Sequence, residues 1–240
     1  MVPDSKTIYT FAHNIIMENL PVFISVIFIL TTALTVWFFY KASQRSKYAL
    51  AIILLWLILQ GILSLSGFYL NTSALPPRII FILPPTLLLM LILFLNVKGR
   101  IFLDNFDIKT LTLLHIVRIP VEVVLYLLFV HQTVPQLMTF EGRNFDILSG
   151  ITAPFIYYFG FIKQTIGKKT ILAWNFICLA LLINIVVNAI LSAPLAFQQF
   201  AFDQPNIAIL YFPFIWLPCI VVPIVLFSHL VTFRQLITEK

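Results

Sequence analysis

Seven unbroken apolar stretches constrain this chain more than any motif, at about residues 20–40, 48–70, 78–96, 110–131, 146–163, 170–192 and 207–230. Each holds about twenty residues, the number whose helical rise of about 1.5 Å per residue matches a hydrocarbon core about 30 Å thick. A membrane β-barrel would instead alternate apolar and polar residues over shorter strands. Composition agrees: 61% of the 240 residues are hydrophobic and 10% are charged. Soluble domains are about a quarter charged, so this chain lacks the polar surface to face water all round. The connections are short and no internal repeat is visible. The expected fold is all-α: a polytopic membrane protein forming one bundle of seven transmembrane helices, a single domain over residues 1–240.

Lysine and arginine give the orientation. Lys41, Arg45, Lys47, Lys98, Arg100, Lys109, Lys163, Lys168, Lys169, Arg234 and Lys240 fall on one side of that topology. Lys6, Arg78 and Arg143 fall on the other. Eleven against three places the N-terminus outside and the C-terminus in the cytoplasm. The net charge of +6 therefore reads as topology and not as a nucleic-acid surface. The first residues lack the pattern of a removable signal peptide. Ile8, Phe11 and Ile15 share a helical face, and a segment lying at the interface is expected there. Cys178 and Cys219 both lie within apolar stretches, which is no disulfide framework.

The fourth stretch is unusual. His115, Arg118 and Glu122 fall within roughly 60° of arc on a helix turning about 100° per residue, and Tyr126 continues the face. Ionised groups facing lipid cost several kcal/mol, so this ridge should look into the bundle. Arg118 and Glu122 are four apart, but base before acid is the weaker order, which points to partners on other helices. Gln60 with Ser64, Ser149 with Thr152, and Asn184 with Asn188 share helical faces and offer such partners. Pro84-Pro85 should bend the third span, and Pro213, Pro218 and Pro223 should make the last one irregular.

Between spans four and five, Glu141, Arg143, Asn144 and Asp146 crowd into six residues, with Gly142 permitting a tight turn. Asn144 or Asp146 is placed to cap the fifth helix. The loop is expected just outside the membrane, as a polar lid. The run MTFEGRNFDILSGITAP, with SAPLAFQQFAFDQPNIAILYFPFIWLP further on, resembles an uncharacterised family of seven-helix bacterial inner-membrane proteins. The likeness covers most of the chain from about Leu111 onward. It implies a multi-pass protein of a bacterial inner membrane, and it carries no activity.

Known chemistries fit poorly. A retinal protein needs a lysine in its last span, and 207–230 has none. A GxSG nucleophile is missing, because Ser149-Gly150 follows Ile147-Leu148. His13, His115, His131 and His229 show no HxxxH or HExxH spacing, so no metal is expected. A haem held by His115 and His229 is the one cofactor alternative to none. The leading expectation is therefore not an enzyme. It is a protein that binds or transports a small or lipid-like ligand, with an anionic group neutralised by Arg118, in an outward-facing polar cleft. The residues assigned to that cleft are His115, Arg118, Glu122, Tyr126, Glu141, Arg143, Asn144, Asp146, Asn184 and Asn188. An intramembrane lipid-modifying enzyme using the carboxylates, and a structural subunit of a membrane complex, are the alternatives. The bilayer is the expected partner in each case, and nucleic acid in none.

Overall fold

The computed structural model describes residue 17, residues 19–72, residue 74 and residues 76–238. All regular structure among them is helical. The interfacial segment expected around Ile8, Phe11 and Ile15 lies outside the described residues. In chain order the helices are α1 (Val22–Ala42), α2 (Lys47–Leu65), α3 (Arg78–Leu95), the short α4 (Val97–Asp104), α5 (Ile108–Val130), α6 (Ile147–Ile162), α7 (Lys168–Leu191) and α8 (Leu217–Thr238). Six of them, all but α4 and α6, are long and apolar enough to cross a membrane, as a multi-pass membrane protein requires. Helix α6 is apolar but shorter. The centre is built from α8, α5 and α1, of which 67%, 50% and 44% is buried. Helices α2 and α3 are peripheral, at 17% and 11%, and turn apolar side chains outward.

Prolines set the irregularities. Pro84 and Pro85 do not bend a continuous helix. They occupy the first positions of an α-helical section, Pro84–Leu95, where a missing N–H costs nothing, after a 3-10 turn over Arg78–Phe81. Pro120 cannot donate to the carbonyl of Ile116, and α5 tightens into a 3-10 turn at His115–Val117 just there. Wide π-turns follow Pro154 in α6 and accompany Pro218 in α8. Pro223 leaves the Cys219 carbonyl without its helical donor, and Trp56 Nε1 from α2 supplies one at 3.2 Å.

The last span differs from the sequence expectation. Residues 207–216 form a short 3-10 turn and a loop rather than helix, because Pro213 and Pro218 interrupt the ladder. The helix begins at Leu217 and runs to Thr238, well past residue 230. His229 therefore lies in the interior of a helix and not at its end.

The segment 131–146 is the second departure. It does not sit above the helices as a lid. Asn144 donates to Glu122, which is eight residues inside the end of α5, or about 12 Å by helical rise. Asp146 reaches Arg118, a turn deeper. Irregular backbone is tolerated at such depth only where protein groups satisfy it. Here Ile207 N and Ala208 N both donate to Thr133 O at 3.1 Å, and Gln204 Nε2 donates to Val134 O at 2.6 Å. Asn144 Nδ2 also donates to Met138 O at 2.9 Å. Helix α6 starts from this depth and runs antiparallel against the first half of α5. Loop and half-length helix together carry the chain back through the bundle.

Gly150 fixes how closely α6 approaches α5. A Cβ there would lie 2.8 Å from Ile119 Cγ1, 3.1 Å from Ile119 N and 3.3 Å from His115 O. Close backbone approach at small residues is the usual device of helices in lipid. Gly150→Leu is expected to push α6 outward and lower stability by about 1–3 kcal/mol, the scale of overpacking. Thermal unfolding of the purified variant in detergent checks this.

Candidate functional site

The ridge expected on α5 is present and wholly internal: His115 is 0% exposed, Arg118 2% and Glu122 1%. The 3-10 turn at His115–Val117 and Pro120 place the three side chains on one inward face. Asn144 and Asp146, delivered by the descending loop, meet them. Arg118 Nη1 forms an ion pair with Asp146 Oδ1 at 2.5 Å and also donates to the Cys178 carbonyl of α7 at 3.2 Å. Arg118 Nη2 lies 2.6 Å from His229 Nε2 on α8. An arginine can only donate, so His229 Nε2 is the acceptor and its proton sits on Nδ1. Nδ1 then donates to Asn175 Oδ1 on α7 at 2.6 Å, and Asn175 Nδ2 returns a bond to His229 O. One guanidinium thus joins the loop, α5, α7 and α8.

The histidines stack on each other, with ring centroids 4.2 Å apart and 27° between planes. Rings lying face against face leave no gap for a haem plane between them, unlike a pair of axial ligands. Ser228 Oγ gives its proton to Val225 O, so His115 Nε2–H donates to Ser228 at 3.2 Å. His115 Nδ1 is then a buried acceptor without a partner. Trp174 closes this side with an edge against His115 at 5.6 Å, its Nε1 held by Thr152.

Glu122 has a different setting. Asn144 Nδ2 donates to Oε1 at 2.5 Å, and Asn144 Oδ1 accepts from Asp146 N at 3.0 Å. Asp146 stands at the N-cap position of α6, but its carboxylate turns inward to Arg118 rather than capping the helix. Glu122 Oε2 is buried with no partner. The Glu122 residue is part of the wall of a cavity of about 230 Å³ between α3, α5, α7 and the start of α8. The floor includes Val121, Leu125, Leu182 and Ile185, and the rim includes half-exposed Ile79 and Val186 with exposed Ile80. Among the described residues, Glu122 and Asp146 are the only polar ones in the lining, and Arg118 is not part of it.

Five of the ten residues expected at a cleft are therefore together: His115, Arg118, Glu122, Asn144 and Asp146. The others are elsewhere. Tyr126 stacks on Phe140 at 5.0 Å, and Glu141 is exposed. Arg143 lies over the Phe200 ring, with its carbonyl bonded by Asn184 Nδ2. Asn188 donates to Asn184 within α7. The bond from Asn184 to Arg143 O fastens the loop to α7. Sequence reasoning named His229 only as a possible haem partner of His115, and it missed Asn175 and Ser228. The proline spacing held the signal for His229, since a helix of spanning length that starts after Pro213 carries residue 229 into its interior.

Asp146 neutralises a guanidinium that is buried. Asp146→Asn is expected to cost about 3–5 kcal/mol, because it leaves a buried charge uncompensated. Arg118→Met combined with Asp146→Asn should cost less than Asp146→Asn alone, measured as thermal unfolding in the same detergent.

No curated protein and no protein of solved structure matches this chain. A family model described as Domain of unknown function (DUF8737) matches residues 76–237, which include α3 to α8 and every member of the buried cluster. With more than half of its length covered by that match, the chain belongs to this uncharacterised family.

Proposed function

We propose that this chain is a seven-span protein of a bacterial inner membrane, N-terminus outside and C-terminus cytoplasmic, that binds a lipid-like ligand drawn sideways from the bilayer. The seventh crossing is the pair formed by the descending loop and α6, which is why it is too short to count as a helix of spanning length. With that crossing included, eleven of the described and terminal basic residues fall on the cytoplasmic side and three outside, as the positive-inside rule requires. The cavity then lies in the outer half of the bundle.

The observation that carries the ligand reading is the cavity itself: apolar throughout, except for two carboxylates at its depth. Its volume of about 230 Å³ falls between a cavity of about 150 Å³ that admits benzene and the roughly 300 Å³ at which drug-sized pockets begin. That suits one alkyl chain or a small ring, not both chains of a phospholipid. The exposed Ile80 and half-exposed Val186 leave its rim, between α3 and α7, open to acyl chains. Helix α3 is the least buried of the spans, so this wall can yield at small cost.

Two measurements test the reading. Single cysteines at Glu141 and at Lys98, in a background lacking Cys178 and Cys219, should react with an impermeant maleimide in opposite ways. Glu141→Cys labels in intact cells and Lys98→Cys only after lysis. The reverse pattern overturns the topology. Saturable binding of decanol by protein in phosphatidylcholine nanodiscs should weaken about tenfold in Ala189→Phe, which places a ring at the rim. That loss equals the exclusion of about two methylenes. Binding unchanged by Ala189→Phe overturns the cavity assignment.

A further inference from the structure

We infer that the polar end of the ligand is a hydrogen-bond-donating cation, a primary ammonium on a single alkyl chain, and that Glu122 is its counter-ion; this rests on the cavity reading above. At the depth of the cavity the ionisable groups are Arg118, Asp146 and Glu122, with His115 and His229 behind them. Arg118 and Asp146 neutralise each other at 2.5 Å. His229 accepts from Arg118 and is therefore the neutral tautomer. Glu122 is left without a cation of its own. Asn144 satisfies Oε1, but its amide is neutral, and Oε2 has no partner.

An anionic head finds no welcome in this arrangement. Both polar groups in the cavity wall are carboxyl groups, and like charges there repel at low dielectric. Arg118 stands behind Asp146. Its two terminal nitrogens are spent on Asp146, Cys178 O and His229, and it does not reach the wall. The sequence alone gave Arg118 the task of neutralising an anion. Arg118 is already neutralised, and although its Nε has no partner, Arg118 is not in the cavity wall, so the open valence in the wall belongs to Glu122. A hydroxyl would satisfy Oε2 with a neutral hydrogen bond. An ammonium satisfies it with a charge-assisted bond, which is the stronger one. A quaternary cation has no N–H to give Oε2, and a tertiary one has a single N–H against the three of a primary ammonium.

The test uses three probes of equal chain length, decylamine, decanol and decanoate, titrated into full-length protein in neutral phosphatidylcholine nanodiscs at pH 7. Decylamine should bind at least about tenfold more tightly than either of the others, the scale of one hydrogen bond to a charged group. In Glu122→Gln that preference should fall to within about twofold while decanol binding persists. The glutamine keeps an oxygen for Asn144, and an unchanged gel-filtration profile and melting temperature confirm the fold. Glu122→Asp, which retains the charge, should recover part of the preference. Decanoate binding as tightly as decylamine, or a preference that survives Glu122→Gln, overturns the ammonium assignment. If all three probes bind equally and Ala189→Phe still blocks them, the cavity stands and only the ammonium falls. If none binds saturably, both fall.

Discussion

The Arg118 guanidinium is the constraint on which the rest of this bundle depends. A buried cation of this kind costs several kcal/mol to desolvate, and the cost is offset only if every strong partner is in place at once. The partners come from three other parts of the chain: Asp146 from the descending loop, His229 from α8 and the Cys178 carbonyl from α7. Each has a support of its own. Asn175 fixes the His229 tautomer, Ser228 and Trp174 hold His115 against it, and Asn144 holds Asp146 by its backbone N–H. The apolar contacts bring these elements to one place, since each offers lipid-like surface on many faces. The polar contacts choose among the ways those faces could meet.

The cavity follows from the same constraint. Because Asp146 must reach Arg118, the segment before it is drawn down between α5 and α7, and α6 begins at mid-depth. Irregular chain fills space less evenly than a helix would. The volume beside Glu122 lies where the descending loop, the proline-delayed start of α8 and the thinly packed α3 fail to close on one another. A second, mostly apolar hollow of about 450 Å³ lies between α1, α2, α3 and α8, lined by residues such as Trp56, Met90 and Phe227. Helix α3 thus has space on two sides, which agrees with its slight burial.

Much of this was legible in the sequence, and the parts that were not have physical reasons. The apolar blocks announce helices and their order, because length against bilayer thickness is a strong filter. The inward face of His115, Arg118 and Glu122 follows from helical period and the cost of charge in lipid. Hydropathy cannot tell that residues 138–146 sink into the bundle. A polar segment looks the same whether water or protein satisfies it, and only its partners on α5 reveal its depth. His229 was hidden by an error of register. Reading residues 207–216 as helix spends ten residues of span on a stretch that Pro213 and Pro218 forbid, and the helix end then falls near His229 instead of nine residues beyond it. Glu122 and Asp146 were both visible as carboxyl groups, but which one owns Arg118 is a matter of three dimensions.

The separation of these partners along the chain bears on how the protein is made. Arg118 is synthesised 28 residues before Asp146 and 111 residues before His229. An unaccompanied arginine at the centre of an inserting helix costs about 2.5–3.5 kcal/mol on insertion scales. The leucines and valines around it must carry it into the bilayer during synthesis. The 16 residues of α6 are too few to insert by themselves with comparable certainty. The loop and α6 thus take their final place late in biogenesis, when α8 arrives and the guanidinium gathers its ligands.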